Sequence, residues 1–317
     1  MELHVIFGTG PTGAAAMRAL VEQGKAVRMI NRSGKPSTAT GSALPPNVEI
    51  CAGDAYSAAS VRSLTAGAAA VYQCAQPEYH EWAEKFPPLQ AAVLEGTAAN
   101  DAKLVLMENL YMVGDTGGAP IHEGLPHNAH TRKGRVRAAM AEQAMAAHRA
   151  GKLRVTSARA SDFYGPAYMV TADQIFYAAL AGKRAQGMGN LDVPHSFTYT
   201  EDVGRALAIL GTHDAADGRA WHVPTAPAMT QRELLSKVFA LAGTTPKIGA
   251  VGRGMMRLAG LFVPAAREMV EMMYEFEQSF ILDSSAFTRT FGMTATPLEV
   301  GLRATLDWFR AHPKASR

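Results

Sequence analysis

Six residues near the amino terminus form a glycine-rich turn of a kind that can bind phosphate groups. They follow a short apolar segment and precede a stretch of strong helix formers. In such a turn Gly8 allows a tight bend, Gly10 lets the backbone approach a diphosphate, and Gly13 permits close packing of helix on strand. The amides and partial positive charge of a helix N-terminus also favour phosphate. The motif therefore predicts a dinucleotide site formed by Gly8, Thr9, Gly10, Pro11, Thr12 and Gly13.

The residues after the next strand determine which dinucleotide fits. The segment that follows Ala26–Ile30 reads Asn31-Arg32-Ser33 and holds no carboxylate. A carboxylate here would accept hydrogen bonds from the ribose of NAD, whereas a guanidinium and a hydroxyl suit the 2'-phosphate of NADP. We therefore expect NADP in preference to NAD, the alternative being that Arg32 is only a solvated loop residue. Asp54, just after the third strand, is placed to meet the adenine amino group.

A second set of candidate residues follows the fifth predicted strand and begins the long helix beyond it. Asn109 and Tyr111 come just after the strand, where either could polarise or protonate a substrate oxygen. Lys133 and Arg137 are four residues apart and therefore share a helix face. Repulsion from flanking arginines could make Lys133 a proton donor. A solvated helix start, or an anchor for cofactor phosphates or ribose, is the more common meaning of such a run of cations.

Other side chains are weaker candidates. Tyr164 is expected to shape the nicotinamide pocket, since an aromatic residue beside Gly-Pro commonly fixes a turn. His195 could face the substrate cleft, although an isolated histidine is more often a loop residue. Glu108 could act as a base or could only cap a backbone group. A methionine-rich region is expected to be core, with the roof of an apolar pocket as the alternative; its members are Met255, Met256, Met269, Met272 and Met273.

The segments that must position these residues alternate between strand and helix patterns. Six strands are predicted at Leu3–Phe7, Ala26–Ile30, Val48–Ala52, Ala69–Cys74, Leu104–Met107 and Arg154–Ala158. Alternation of this kind favours an α/β fold with a doubly wound parallel Rossmann sheet, complete after the sixth strand. A single helix is predicted from Val251 to Tyr274. We expect a Rossmann domain over residues 1–165 and a smaller, mainly helical substrate lobe over 166–317, partly interleaved with the sheet.

Composition excludes several classes of protein. The 317 residues are 48% hydrophobic and 19% charged, as in an ordinary globular protein, and the net charge of +3 gives no basic field for nucleic acid. Two cysteines, Cys51 and Cys74, are too few for a disulfide framework and lack metal-ligand spacing. Neither a signal peptide nor a membrane-spanning run is recognised. We therefore expect a cytoplasmic protein with a small-molecule substrate, without metal, nucleic acid or membrane partners.

Several of these motifs together resemble a known superfamily. The glycine turn, Asn-Arg-Ser, Gly53-Asp54 and the segment from Arg159 to Pro166 are similar to the extended short-chain dehydrogenases/reductases, which include NAD(P)-dependent epimerases and dehydratases. The resemblance spans nearly the whole chain, with later landmarks at 197–203 and 291–308. It implies a Rossmann fold, a nicotinamide cofactor and a substrate lobe at the carboxyl end. By the same resemblance a homodimer is plausible.

The catalytic motif departs from that superfamily's pattern. Members carry Ser or Thr after the fifth strand and a Tyr-x-x-x-Lys pair on the next helix, where lysine lowers the pKa of tyrosine. Here Asn109 stands roughly in the hydroxyl position, and Lys133 and Arg137 have the spacing of the missing pair. The first hypothesis is an NAD(P)-dependent oxidoreductase or epimerase/dehydratase-like enzyme acting on a small carbonyl or alcohol. The second is a catalytically impaired NADP-binding sensor or scaffold.

Overall fold

A computed structural model describes residues 1–314. Its strands are β1 (Leu3–Phe7), β2 (Ala26–Asn31), β3 (Val48–Ala52), β4 (Ala68–Gln73), β5 (Lys103–Glu108), β6 (Val155–Arg159), β7 (Asp162–Tyr164), β8 (Ala185–Met188), β9 (Pro194–His195), β10 (Phe197–Tyr199), β11 (Ala220–His222), β12 (Met229–Thr230) and β13 (Ile248–Val251). Seven of them form a central sheet in the order β11-β6-β5-β4-β1-β2-β3, with every neighbouring pair parallel. The predicted parallel Rossmann sheet is confirmed.

Eleven α-helices are present within residues 1–314. They are α1 (Pro11–Glu22), α2 (Ala58–Leu64), α3 (Trp82–Ala98), α4 (Arg132–Arg149), α5 (Tyr177–Leu180), α6 (Thr200–Thr212), α7 (Gln231–Ala242), α8 (Arg253–Ala259), α9 (Pro264–Met269), α10 (Ser285–Phe291) and α11 (Leu298–Ala311). Helices α1, α6 and α10 cover one face of the sheet, and α2, α3 and α4 cover the other. Because both faces are buried, the central strands are nearly continuous runs of apolar residues, as parallel sheets require.

The sheet has one strand more than the six predicted: the sequence also indicates a strand-like segment at Trp221–Pro224, but that segment was not expected to join the sheet. Strand β11 lies beside β6 at the sheet edge, with Ala220 paired to Ser157 and His222 paired to Arg159. Its three residues are too few to show a periodic pattern, so their place in the sheet is set by tertiary packing, with Trp221 buried against Phe287. The region after residue 165 thus supplies a strand, β11, and two helices, α6 and α10, to the sheet domain.

The remaining elements of the carboxyl half form a smaller unit around a second core. Three two-stranded pairs, β7–β10, β8–β13 and β9–β12, lie beside helices α5, α7 and α11. Phe176, Phe239 and Phe309 are fully buried at the centre of this unit. No helix within residues 1–314 has the length and apolarity to cross a membrane.

The single helix predicted from Val251 to Tyr274 is wrong. The structure has the end of β13, then α8, α9 and a 3-10 turn over Val270–Phe276. Pro264 begins α9 at its first position, and proline cannot continue a preceding helix because it lacks an amide hydrogen. Met272 and Met273 are buried, as expected for core, whereas Met255 is largely exposed.

His222, on the edge strand β11, makes the stability of the folded protein sensitive to acid. His222 is completely buried, and its Nδ1 donates to the backbone oxygen of Asp283 at 2.9 Å. Its Nε2 is buried and has no hydrogen-bond partner among the described residues. Burial therefore lowers the pKa of His222. Protonation of Nε2 would place a charge where nothing described accepts its hydrogen.

Stability should therefore fall as pH drops below about 6.5, the pKa of histidine in an unfolded chain. The unfolded state binds the proton and the folded state resists it, so the loss is at most about 1.4 kcal/mol per pH unit for this group. A His222→Asn protein keeps the donor but cannot titrate, and urea unfolding at several pH values should show a shallower slope. His312→Asn, at an exposed histidine, is the control. Equal slopes for both variants would contradict the assignment.

Candidate active site

The glycine turn at the carboxyl end of β1 has the geometry of a phosphate-binding bend. Gly8 has a φ of +110°, which side chains rarely adopt, and a Cβ on Gly13 would lie 2.1 Å from the carbonyl oxygen of Gly8. A Cβ on Gly10, in contrast, would meet no atom within 4 Å. Gly8 and Gly13 are therefore required by the backbone itself, whereas Gly10 leaves open space above the turn.

The N-terminus of α1 faces that open space. Gly10 is the N-cap residue, Pro11 opens the helix, and no described side chain caps the first-turn amides. Amides without partners, together with the helix dipole, form a site for an anion. The residues of this turn therefore fit the diphosphate of a dinucleotide.

Asn31 at the end of β2 organises the loop beside the turn. Its Oδ1 accepts from the backbone amides of Ser33 and Gly34 at 3.1 and 2.7 Å, and from the Ser33 hydroxyl at 3.1 Å. Its Nδ2 donates to Thr9 Oγ1 and to the backbone oxygen of Lys35 at 3.0 and 2.8 Å. The side-chain amide of Asn31 therefore forms its hydrogen bonds within the protein, and Asn31 positions the loop. Direct contact of Asn31 with the cofactor stays a prediction.

The other predicted specificity residues are exposed. Arg32 and Ser33 lie on the surface of this loop, and the Arg32 guanidinium makes no hydrogen bond or ion pair to any residue in 1–314. Asp54 is also exposed, at the end of β3, and its Oδ1 accepts from the amide of Tyr56 at 2.9 Å. Their contacts with ribose and adenine stay predictions.

Lys133 and Arg137 both lie on the buried face of α4, while Arg132 and Arg135 are exposed. Lys133 Nζ donates to Glu268 Oε2 at 2.5 Å and lies 4.4 Å from the ring centroid of Tyr79. Lys133 therefore has a carboxylate partner. Its role as a proton donor stays a prediction.

The start of α4 is held by a segment far along the chain. Thr131 caps the helix by accepting from the amide of Gly134 at 3.0 Å. Glu271 accepts from the amides of Arg132 and Lys133 at 2.7 and 3.1 Å. A carboxylate at a helix N-terminus is stabilised by the amides and the dipole. The 264–276 segment is thereby fixed against the sheet edge where β5 and β6 end.

Arg137 belongs to a buried charge network that centres on Glu108. Glu108 Oε2 accepts from Arg159 Nε at 3.0 Å, and its Oε1 lies 3.8 Å from Arg137 Nη2. Arg137 also lies over the ring of Phe86, 4.6 Å from its centroid. All three charged side chains are buried. Glu108, one candidate base, is thus the counter-charge of two arginines on neighbouring elements.

Two tyrosine hydroxyls lie at the same sheet edge. Tyr111 Oη and Tyr79 Oη are 3.3 Å apart, and burial raises the pKa of both hydroxyls. A tyrosine that acts as a proton donor near neutral pH needs the opposite shift. Asn109 is half-buried, with its Oδ1 3.4 Å from the amide of Tyr111. A role for Asn109 and Tyr111 in holding a substrate oxygen stays a prediction.

Tyr164 lies in the core of the smaller unit. Its ring stacks on Tyr199 with centroids 5.3 Å apart, and a Cβ on Gly301 of α11 would lie 2.7 Å from its hydroxyl oxygen. These are packing contacts. They favour the turn-fixing role over direct contact with the nicotinamide, which stays a prediction.

His195 on β9, a weaker candidate from the sequence, lies beside Asp162 of β7 and the 3-10 turn that carries Glu275; neither of these carboxylates was among the predicted site residues. His195 is buried between the rings of Phe276 and Phe280, and its Nε2 lies 2.7 Å from Asp162 Oδ2. Glu275 is buried, and the Asp162 charge adds to the effect of burial in raising its pKa. Glu275 lies within the apolar run Met272 to Phe276. A single carboxylate in such a run is the sequence feature that could have identified it.

The model of the NAD dependent epimerase/dehydratase family matches residues 5–223. The chain belongs to the NAD dependent epimerase/dehydratase family. The match begins in β1 and ends just after β11, so it covers all seven strands of the sheet. Glu268, Glu271 and Glu275 lie beyond it, in the part of this family member that the family model does not describe.

Solved structures of similar fold cover almost the whole chain. UDP-N-acetylglucosamine 4-epimerase from Bacillus cereus has a TM-score of 0.79 at 14% identity, covering 100% of this chain and 99% of its own. dTDP-glucose 4,6-dehydratase from Bacillus anthracis, solved with NAD, has a TM-score of 0.81 at 15% identity, with 98% and 97% covered. A nucleoside-diphosphate-sugar epimerase from Pseudomonas aeruginosa gives 0.75 at 20% identity, with 98% of each chain covered.

At these identities the likeness shows the fold alone. A search of the curated proteins returns no match to this epimerase/dehydratase-family chain. The family is NAD-dependent by description, and the Bacillus anthracis enzyme is bound to NAD. The predicted fold and family are confirmed.

Proposed function

We propose that this protein is a nicotinamide-dinucleotide-dependent oxidoreductase or epimerase/dehydratase-type enzyme that acts on a small carbonyl or alcohol. The observation that carries the proposal is the open space at Gly10, next to uncapped α1 amides. It lies on the same sheet edge as the buried Lys133 and the partly buried Tyr79 and Tyr111. In open parallel sheets, ligands bind outside the carboxyl ends of the strands. We therefore propose that the coenzyme diphosphate and the polar reaction site share this edge.

Each residue set has a separate part in this proposal. The amides of Thr12 and Gly13 bind the diphosphate, and the loop held by Asn31 presents Arg32 to the ribose. The coenzyme supplies hydride transfer when bound. Asn109 and Tyr111 orient the substrate oxygen by hydrogen bonding. Lys133, fixed by Glu268, places a positive charge at the edge of the site, where it favours electron-rich groups.

A second candidate function is a cofactor-binding sensor or scaffold without turnover. It is favoured by one observation: α4 contains no tyrosine, and its Lys133 is engaged by Glu268. In this alternative the occupied pocket controls an interaction with another protein.

The two functions are distinguished by binding and turnover measured on the same preparation. Calorimetry with NADP and NAD should give saturable heat, and NADPH oxidation should be followed spectroscopically against aldehydes, ketones and nucleotide sugars. Turnover with any member of the panel supports the enzyme. Tight binding with no turnover supports the sensor, and absence of binding to both dinucleotides overturns both.

The coenzyme preference has its own test at Arg32. We propose that the exposed guanidinium pairs with the 2'-phosphate of NADP, so Arg32→Ala should weaken NADP binding by about 10-fold and leave NAD binding unchanged. The effect should shrink at high salt, because solvent-exposed charges are screened. Arg62→Ala, at another exposed arginine, serves as the control. Equal weakening of NADP and NAD by Arg32→Ala would show that Arg32 does not select the phosphate.

A further inference from the structure

We propose that Glu275 is the proton donor to the substrate oxygen, in the part that tyrosine plays in the superfamily pattern. The inference rests on the proposed enzymatic function and assigns its missing acid. Glu275 lies in the 3-10 turn Val270–Phe276, outside the residues that the family model matches.

The position of Glu275 is fixed from both sides. On one side Glu271 binds the start of α4. On the other, the backbone oxygen of Phe276 accepts from the amide of Asn190 at 2.8 Å, and the Phe276 ring stacks on His195. The carboxyl group is thus held by rigid elements at the sheet edge, as proton transfer to a bound substrate requires.

The surroundings of Glu275 favour a protonated carboxyl group. Its exposed fraction is 2%, and it forms no ion pair with any cation among residues 1–314. Its one hydrogen bond is from the Tyr274 hydroxyl to Oε1, at 3.4 Å. Burial and the negative charge of Asp162 raise the pKa of Glu275 well above its ordinary value. A buried carboxyl group without a cation keeps its proton near neutral pH.

Glu275 lies in the turn that holds the start of α4. Glu271, in the same turn, accepts from the Lys133 amide, and Lys133 Nζ lies 4.4 Å from the ring centroid of Tyr79. The titratable groups around it are Asp162 on β7, Tyr79 after β4, Tyr111 after β5 and the adjacent Tyr274. A Glu275 charge would raise the pKa of Tyr79 and of Tyr111. Among the described groups at this edge Glu275 is the buried carboxyl group with a raised pKa. We assign to it the proton for an oxygen held by Tyr111.

The proton and electron balance of the step is complete. In carbonyl reduction the carbon gains the hydride of a reduced nicotinamide coenzyme, which is oxidised, and the oxygen gains the proton from the Glu275 O–H bond. The products are an alcohol, the oxidised coenzyme and the Glu275 carboxylate. Asp162 has a side chain that is 38% exposed, and we assign to it the return of a proton from solvent to the carboxylate.

The first test is independent of turnover. Infrared difference spectra taken across neutral pH should show the carbonyl stretch of a protonated carboxylic acid in the full-length protein. The band should be absent from Glu275→Gln and present in Glu277→Gln, which alters an exposed carboxylate two residues away that pairs with Arg253. A parent protein without the band, or a band that persists in Glu275→Gln, would overturn the proposal.

The second test measures turnover with the carbonyl panel. Glu275→Gln should lower kcat at least 100-fold, the usual contribution of a general acid, while KM and NADPH affinity stay the same. Glu275→Asp should retain part of the activity, and its rate should still fall as pH rises. Normal kcat in Glu275→Gln overturns the assignment of Glu275 alone. A silent panel with the infrared band intact overturns the enzymatic function and, with it, this role.

Discussion

A Gly10→Ala protein is expected to be as stable as the control variant Gly252→Ala and to bind NADP on the order of 100-fold more weakly. Gly10 has φ −74° and ψ −176°, values that alanine adopts readily, and its Cβ would contact no protein atom within 4 Å. The methyl group would instead occupy the space above the α1 amides. The substitution should therefore weaken ligand binding without lowering the stability of the protein.

Gly252 offers a control of the same geometry. It is the N-cap of α8, with φ −84° and ψ 171°, and a Cβ there would also contact nothing within 4 Å. Gly252→Ala should match the thermal stability of Gly10→Ala and retain full affinity in calorimetry. Unchanged NADP binding by Gly10→Ala would contradict the assignment of the turn as the diphosphate site.

Gly13→Ala should behave differently from both. Its Cβ would lie 2.1 Å from a backbone oxygen, so helix and strand would have to separate. We expect loss of stability in this variant, measured by thermal unfolding without ligand. The three glycine variants thus separate a role in binding from a role in packing.

The largest effect on stability is expected at Glu108. Glu108→Gln would leave Arg137 and Arg159 buried without their counter-charge, although the side chain keeps its shape. Breaking a buried ion pair by removing one partner costs about 3–5 kcal/mol, because the remaining charge is neither solvated nor compensated. Urea unfolding followed by circular dichroism should show this loss.

The control for Glu108 uses the same substitution at the surface. Glu142 pairs with Arg149 on α4, and both side chains are more than half exposed. Glu142→Gln should change the unfolding free energy by about 0–1 kcal/mol. If Glu108→Gln also lowers the free energy of unfolding by less than about 1 kcal/mol, Glu108 is not the counter-charge on which the buried Arg137 and Arg159 depend.

Local pattern was sufficient for the sheet and the glycine turn. Leu3–Phe7 and Val48–Ala52 match their predicted bounds, because short apolar runs between turn residues are specified by neighbouring sequence. The place of β11 in the sheet and the break at Pro264 were missed. The first is too short for periodicity, and the second interrupts an apolar pattern that favoured a single helix.

The candidate site divides in the same way. The spacing of Lys133 and Arg137 was enough to put both on one helix face, and the structure places both on the buried face of α4. Their partners could not be inferred, since Glu268 is 135 residues from Lys133 along the chain. Ion pairs over such separations depend on how distant elements pack, which a single sequence does not reveal.

The amino-acid sequence by itself determined the glycine turn, the alternation of strands and helices, and the absence of tyrosine from α4. These features depend on residues adjacent in the chain, where backbone sterics and helix geometry act locally. Tertiary structure alone decided that Asn31 serves its own loop, that Glu108 joins two arginines, and that Glu275 is buried without a cation. The physical reason is that solvation and charge pairing depend on every group that packs nearby, whatever its distance along the chain.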